Sequence, residues 1–215
     1  MIYNVRDFGA VGNGMTNDTA AIQSAVNAAH AAGGGSVYIP AGTYAVTGGI
    51  KASLGAIMLY DNITVYGDGM GASTVKLQDG WDGDITGIFR TQYGVENHDI
   101  TLHDLTIDGN RANTDGKVAG WVNGVAPGLP GTDMNITLNR VEIRDCSAYG
   151  FDPHEQTTNL VISNSISHGN GLDGFTLDFQ INARLENNIA YNNDRHGFNI
   201  VTSSHDIVLI GNIAH

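Results

Sequence analysis

Between Asn17 and Ala32 the apolar residues Ile22, Ala25, Val26 and Ala29 return every three or four positions and share one face of a helix. Asn17 or Asp18 is placed to cap its start, and the run Gly33, Gly34, Gly35 ends it. The pattern then changes. SVYIPAGTYAV is β-branched and aromatic, with Pro40 and Gly42 marking a turn between two short strands.

From about Ile63 the chain repeats itself. ITLHDLTIDGN begins at Ile100, ITLNRVEIRDC at Ile136, LVISNSISHGN at Leu160, ARLENNIAYNN at Ala183 and IVLIGNIAH at Ile207. From Ile136 onward the starts recur about every 24 residues, the middle step being one shorter than the other two. The step from Ile100 to Ile136 is longer by a dozen, which predicts an inserted loop. A period in the twenties, carried by short alternating strands with Asn and Gly turns, predicts a solenoid of parallel coils, a β-helix. Asn164, Asn188 and Asn212 recur at one constant interval and are expected to stack at a bend. The helix would cover the first coil. No counterpart follows the last, so further coils, or another chain, are expected to cover it.

A second ladder runs in the same register: YGFDPHE from Tyr149, DGFTLDF from Asp173 and HGFNIVT from His196. Aligning Gly150, Gly174 and Gly197 also aligns Phe151, Phe175 and Phe198, most simply an inward stack. Alternation then turns Asp152 and His154 outward on one coil, Thr176 and Asp178 on the next and Asn199 on the third. His154 and Asp178 should lie about one strand spacing apart, roughly 4.8 Å. Tyr149 precedes its glycine, as Arg195 and His196 precede theirs two coils on. A proton donor, a neutral-range base and paired carboxylates on one stiff sheet suit acid–base chemistry.

Composition narrows the partners. The formal charge is -12 with ten Lys plus Arg, which disfavours nucleic acid and anionic membrane surfaces. An acidic substrate then needs a local basic track. No apolar run approaches the length of a spanning helix, and MIYNVRDFGA lacks the features of a signal peptide. Cys146, the one cysteine, is expected to be a buried thiol. The His and Cys spacing fits no zinc pattern. Asp108, Asn110, Asn113 and Asp115 offer oxygens for calcium in the long loop, or form ordinary Asx turns. Trp121 and Tyr93 are candidates for stacking on sugar rings or for packing.

The opening DFGAVGNGMTNDTAAIQSAVNAAHAAGGGSVYIPAGTY resembles the entry segment of polysaccharide-active β-helices of the pectate-lyase type. YGFDPHEQTTNL, NGLDGFTLDF and NDRHGFN resemble the catalytic A-module of the secreted bacterial mannuronan C5-epimerases, and the likeness runs the length of the chain. It implies an all-β, right-handed parallel β-helix of about 24 residues per coil with an N-terminal capping α-helix. Residues 1–47 would form the cap and first strands and 48–215 the coils of one domain, with later coils and calcium-binding repeats beyond it. The resemblance also implies catalytic roles for Tyr149, Asp152, His154 and Asp178, and a substrate groove lined by Arg90, Lys117, Arg195 and His196. It further implies Ca2+ dependence at a site the sequence does not locate, alginate as the polymer bound and extracellular action; a monomer is expected unless another chain covers the open last coil. The reaction would convert β-D-mannuronate to α-L-guluronate at C5. The same groups also suit an alginate lyase, and the cap and repeats alone would suffice for a noncatalytic polysaccharide-binding β-helix. A glycoside hydrolase would leave His154 and Tyr149 unused.

Overall fold

The computed structural model describes residues 1–49, 51–124, 133–154 and 156–215. The fold is all-β and strand-rich, and its paired strands run parallel, each coil laid on the one before. One hydrophobic column shows how the coils are kept in step. Val37 pairs with Val65, Val65 with Leu102, Leu102 with Leu138, Leu138 with Ile162, Ile162 with Leu185 and Leu185 with Leu209. All but Leu209 are fully buried. Each such side chain is worth about 1.5–3 kcal/mol relative to exposure. A one-residue slip would turn the whole column to solvent, so the alternation specifies the register.

The helix spans Thr19–Ala31, and its predicted face, Ile22, Ala25, Val26 and Ala29, is fully buried. Asp18 is its N-cap residue but makes no side-chain cap bond. Its buried carboxylate accepts instead from the backbone N–H of Val11 (2.8 Å) and Gly12 (3.0 Å), tying the entry loop to the helix start. The two short strands expected next are Gly35–Ile39 and Gly42–Val46. Cys146 is buried, as read from the sequence, and burial pushes its thiol up.

The long insertion behaves as predicted. Strand His98–Asp108 pairs with Asp133–Arg144 from Ile100↔Ile136 to Asp108↔Arg144, so register resumes intact after the extra dozen residues. One corner is built on left-handed residues: Asn62, Asp99, Asn135, Asn159, Asn182 and Asp206 have φ between 55° and 61°. Asn and Asp tolerate that region better than other side chains. Asn135 donates to Asp99 (2.8 Å), Asn159 to Asn135 (3.0 Å) and Asn182 to Asn159 (2.7 Å), a ladder of amides up the corner.

The expected stack of Asn164, Asn188 and Asn212 needs correction. Asn188 does donate to Asn212 (2.9 Å), but its own oxygen accepts from the backbone of Ser165 at 2.9 Å. Between those coils the offset is 23, as in Ile166↔Ile189, so Asn164 falls one position outside the ladder and donates to Asn139 instead.

On the other side of the stack, Ile57 pairs with Phe89, Phe89 with Trp121, Trp121 with Phe151, Phe151 with Phe175 and Phe175 with Phe198. This inward column extends the predicted phenylalanine stack backwards. Trp121 is fully buried with its indole N–H on Asn123 Oδ1 (2.8 Å), so it packs in the core and offers no face to a sugar. A Cβ at Gly150 would meet Gly174 O at 2.6 Å, which explains a glycine where the coils come closest.

Candidate active site

Phe151, Phe175 and Phe198 point inward, so the residues one and three places after them face the opposite way. His154 and Asp178 meet there, Nδ1 lying 3.6 Å from Oδ2. Two features depart from a solvated surface. Asp152 is only 6% exposed, and Oδ1 of Asp178 is buried without a hydrogen-bond donor. The imidazole, by contrast, is 69% exposed.

The backbone makes this difference. Asp152 Oδ1 accepts from the N–H of His154 at 3.2 Å, closing an Asx turn across Pro153. His154 has φ 58°, an uncommon conformation for a side chain of its size. The turn follows the Phe151 bridge and leaves the ring exposed while the aspartate stays buried. Burial, then the neighbouring Asp178 charge, raises the Asp152 carboxyl to about 6 against the opposing pull of His154. With Nδ1 facing the Asp178 carboxylate, Nε2 is the ring nitrogen left for a substrate proton.

Tyr149 is half-buried, two residues before Phe151. Arg195 donates to its hydroxyl from Nη2 at 3.4 Å and lies over its ring, 5.4 Å from the centroid. Arg195 is itself gripped by Asp173, Nε at 2.7 Å and Nη2 at 2.5 Å, and His196 Nδ1 reaches the same carboxylate at 3.0 Å. The sequence reading passed over Asp173. Its signal was there: Tyr149 and His196 precede aligned glycines, and Asp173 precedes the glycine of the coil between them. Burial would raise the Asp173 carboxyl, but hydrogen bonds from Arg195, Asn199 and His196 hold it well below the usual carboxylate range.

The two remaining basic residues part company. Lys117 is exposed, its backbone N–H held by Asp84 Oδ1 at 2.7 Å. Arg90 is 3% exposed and bonds the carbonyls of Ser53 (2.7 Å) and Asn123 (3.2 Å), with Nε buried and unpartnered. The resemblance implied a place along the groove; the structure sets it beneath the surface, under the exposed Tyr93 ring at 5.4 Å.

The loop oxygens do not assemble a calcium cage. Asp108 accepts from Asn110 N (2.8 Å) and Arg144 Nε (3.0 Å), and the Asn110 side-chain oxygen accepts from Asn113 (2.9 Å). Among the described residues, Asp152, His154 and Asp178 bring ligand atoms within 4.8 Å of one another. One nitrogen and two carboxylates suit hard calcium poorly, since it takes six to eight oxygens. They suit proton transfer better.

The chain is 59% identical over 215 residues to mannuronan C5-epimerase AlgE5 of Azotobacter vinelandii, covering 100% of this chain and 22% of that one. Alginate lyase 7 of the same organism is 59% identical over 208 residues, 97% of this chain and 24% of its own length. The A-module of the A. vinelandii epimerase AlgE6 superposes with a TM-score of 0.97 at 56% identity, over 99% of this chain and 56% of that structure. This chain therefore spans under a quarter of those two curated relatives and just over half of the solved module. The sequence profile described as rhamnogalacturonase A/epimerase, pectate lyase-like, matches residues 2–215, and with that coverage the chain belongs to this family.

Proposed function

We propose that this chain carries the catalytic group of a mannuronan C5-epimerase, converting β-D-mannuronate to α-L-guluronate within polymeric alginate. The observation that carries the reading is the exposed His154 imidazole, backed by Asp178 at 3.6 Å and set beside a buried carboxyl raised to about 6. The difficulty of the reaction is electrostatic. Removing the C5 proton pushes an electron pair onto a carboxylate that is already negative, so stabilisation must be strongest when that charge develops.

Each residue then has a task. Asp152, whose protonated form the substrate's own charge favours further, donates a hydrogen bond to the C6 carboxylate. His154 Nε2 takes the C5 proton, and the Asp178 carboxylate stabilises the imidazolium. Tyr149 delivers its hydroxyl proton to the opposite face of C5, leaving a phenolate beside Arg195. Water returns the proton from His154 to Tyr149, so atoms and charge balance over a turnover. Lys117 and His196 hold carboxylates of the polymer, and Arg90 braces the groove from below through the Ser53 and Asn123 carbonyls.

The same reading takes residues 1–215 as one domain, a right-handed stack of about 24 residues per coil capped by the Thr19–Ala31 helix. It includes secretion, a monomeric state and Ca2+ dependence, with no calcium ligand assigned among the described residues. The identity to alginate lyase 7 supports a second reading, β-elimination from the same C5 carbanion. Incubating the intact protein with polymannuronate in heavy water separates them. Epimerisation places deuterium at C5 of new guluronate, and unsaturated chain ends without guluronate would reject it.

A further inference from the structure

We infer that Asp173 is the positioning residue of the proton donor, holding Arg195 against Tyr149 so that the phenol keeps one approach to the sugar ring. The inference rests on Tyr149 being the donor, as proposed above. Asp173 occupies the coil between the two residues it links: its carbonyl accepts from Gly150 N (3.0 Å), and Gly174 N donates to the carbonyl of His196 (2.8 Å). Tyr149, Asp173 and His196 thus form one column of three coils.

The Asp173 side chain is fully buried, a placement that is unfavourable for a charge unless it is densely hydrogen-bonded. It accepts from Arg195 Nε (2.7 Å) and Nη2 (2.5 Å), from His196 N (3.1 Å) and Nδ1 (3.0 Å), from Asn199 Nδ2 (2.8 Å) and from Thr176 Oγ1 (3.3 Å). Two parallel bonds to a guanidinium fix its plane as well as its position. That plane reaches back two coils to Tyr149 and contacts both its ring and its hydroxyl. Without the anchor Arg195, whose side chain is 42% exposed, would be a long, freely rotating cation. His196 gains from the same carboxylate. Its Nδ1 is engaged, so Nε2 is presented outward.

Positioning of the donor predicts a specific kinetic signature. With donor geometry lost, the base still removes the C5 proton, but the carbanion is reprotonated from the same face or eliminates. The test compares the intact protein with Asp173→Asn on polymannuronate in heavy water, following guluronate, unsaturated ends and deuterium at C5 of residues that remain mannuronate. We expect kcat for guluronate to fall about 100-fold, the scale of a general acid's contribution, with KM nearly unchanged. Deuterium in retained mannuronate, or unsaturated ends, should rise relative to guluronate. If all products fall by one common factor, or KM rises with kcat unchanged, Asp173 is merely structural or a binding aid and the inference is overturned. Should Asp173→Asn lose its cooperative melt, Arg195→Gln with Asp173 intact puts the same ratios to the test. A parent protein that forms no guluronate removes the underlying epimerase reading, a result distinct from a parent that epimerises and a variant with unchanged ratios.

Discussion

Asp104 and Asp152 both sit on coils of one parallel stack, yet their surroundings are opposite. Asp104 accepts from Arg140 on the neighbouring coil, Nε at 2.5 Å and Nη2 at 2.8 Å, and from His103 Nδ1 at 2.6 Å. The Arg140 hydrogen bonds outweigh burial and hold its carboxyl at about 2. Asp152 has Thr176 opposite it on the next coil and no cation in register, and burial raises it to about 6, with the Asp178 carboxylate adding to the rise. What stands one strand away therefore decides how a carboxyl on the stack titrates. An unlike charge in register makes a brace, and a carboxyl buried without one holds its proton.

The largest expected effect breaks the second region. His154→Gln should lower epimerisation about 1,000-fold, within the range for a general base, while the exposed ring leaves thermal stability almost unchanged. Full turnover in that variant, measured by NMR of the product, would return the patch to ordinary surface.

Stability sharpens the contrast further, because the two aspartates should respond to pH with opposite sign. Asp152 binds its proton more tightly folded than unfolded, so stability falls as pH rises from about 4 through about 6. Asp152→Asn should therefore stabilise the protein at pH 7 by about 2 kcal/mol, a gain that vanishes near pH 4. Denaturant melts at the two pH values check this, and destabilisation at pH 7 would contradict it.

Asp104 is the smallest of the three. Its depressed value contributes stability that is present above about 4 and lost as pH falls through about 2. Asp104→Asn should cost below about 1 kcal/mol at pH 7, since the pair is partly exposed and screened. A loss larger than that produced by truncating Leu138 to Ala, a core change of about 2–5 kcal/mol, would show that the brace carries more than its exposure implies.

Much of this was legible in the chain. The strand columns followed from strict alternation, the helix from its apolar spacing, and the phenylalanine stack from aligned Gly–Phe pairs; the meeting of His154 and Asp178 came with that alignment. What escaped has a physical reason in each case. Asp173 precedes a glycine and looks like a turn residue, because its meaning depends on partners 22 to 26 residues away on the next coil. Arg90 came from the family resemblance, which carries no burial, and only its bonds to the Ser53 and Asn123 carbonyls put it underneath. Asn164 missed its ladder because one coil is a single residue shorter than its neighbours, which moves every later position by one.

The insertion between Asp108 and Asp133 has a wider consequence. Ile100 and Ile136 face each other as squarely as Leu138 and Ile162 do, so the dozen additional residues leave the alignment of this column undisturbed. The strands on either side of the insertion thus keep one alignment whatever the length of chain between them. A protein built this way can lengthen one loop while the hydrophobic column beside it keeps its alignment.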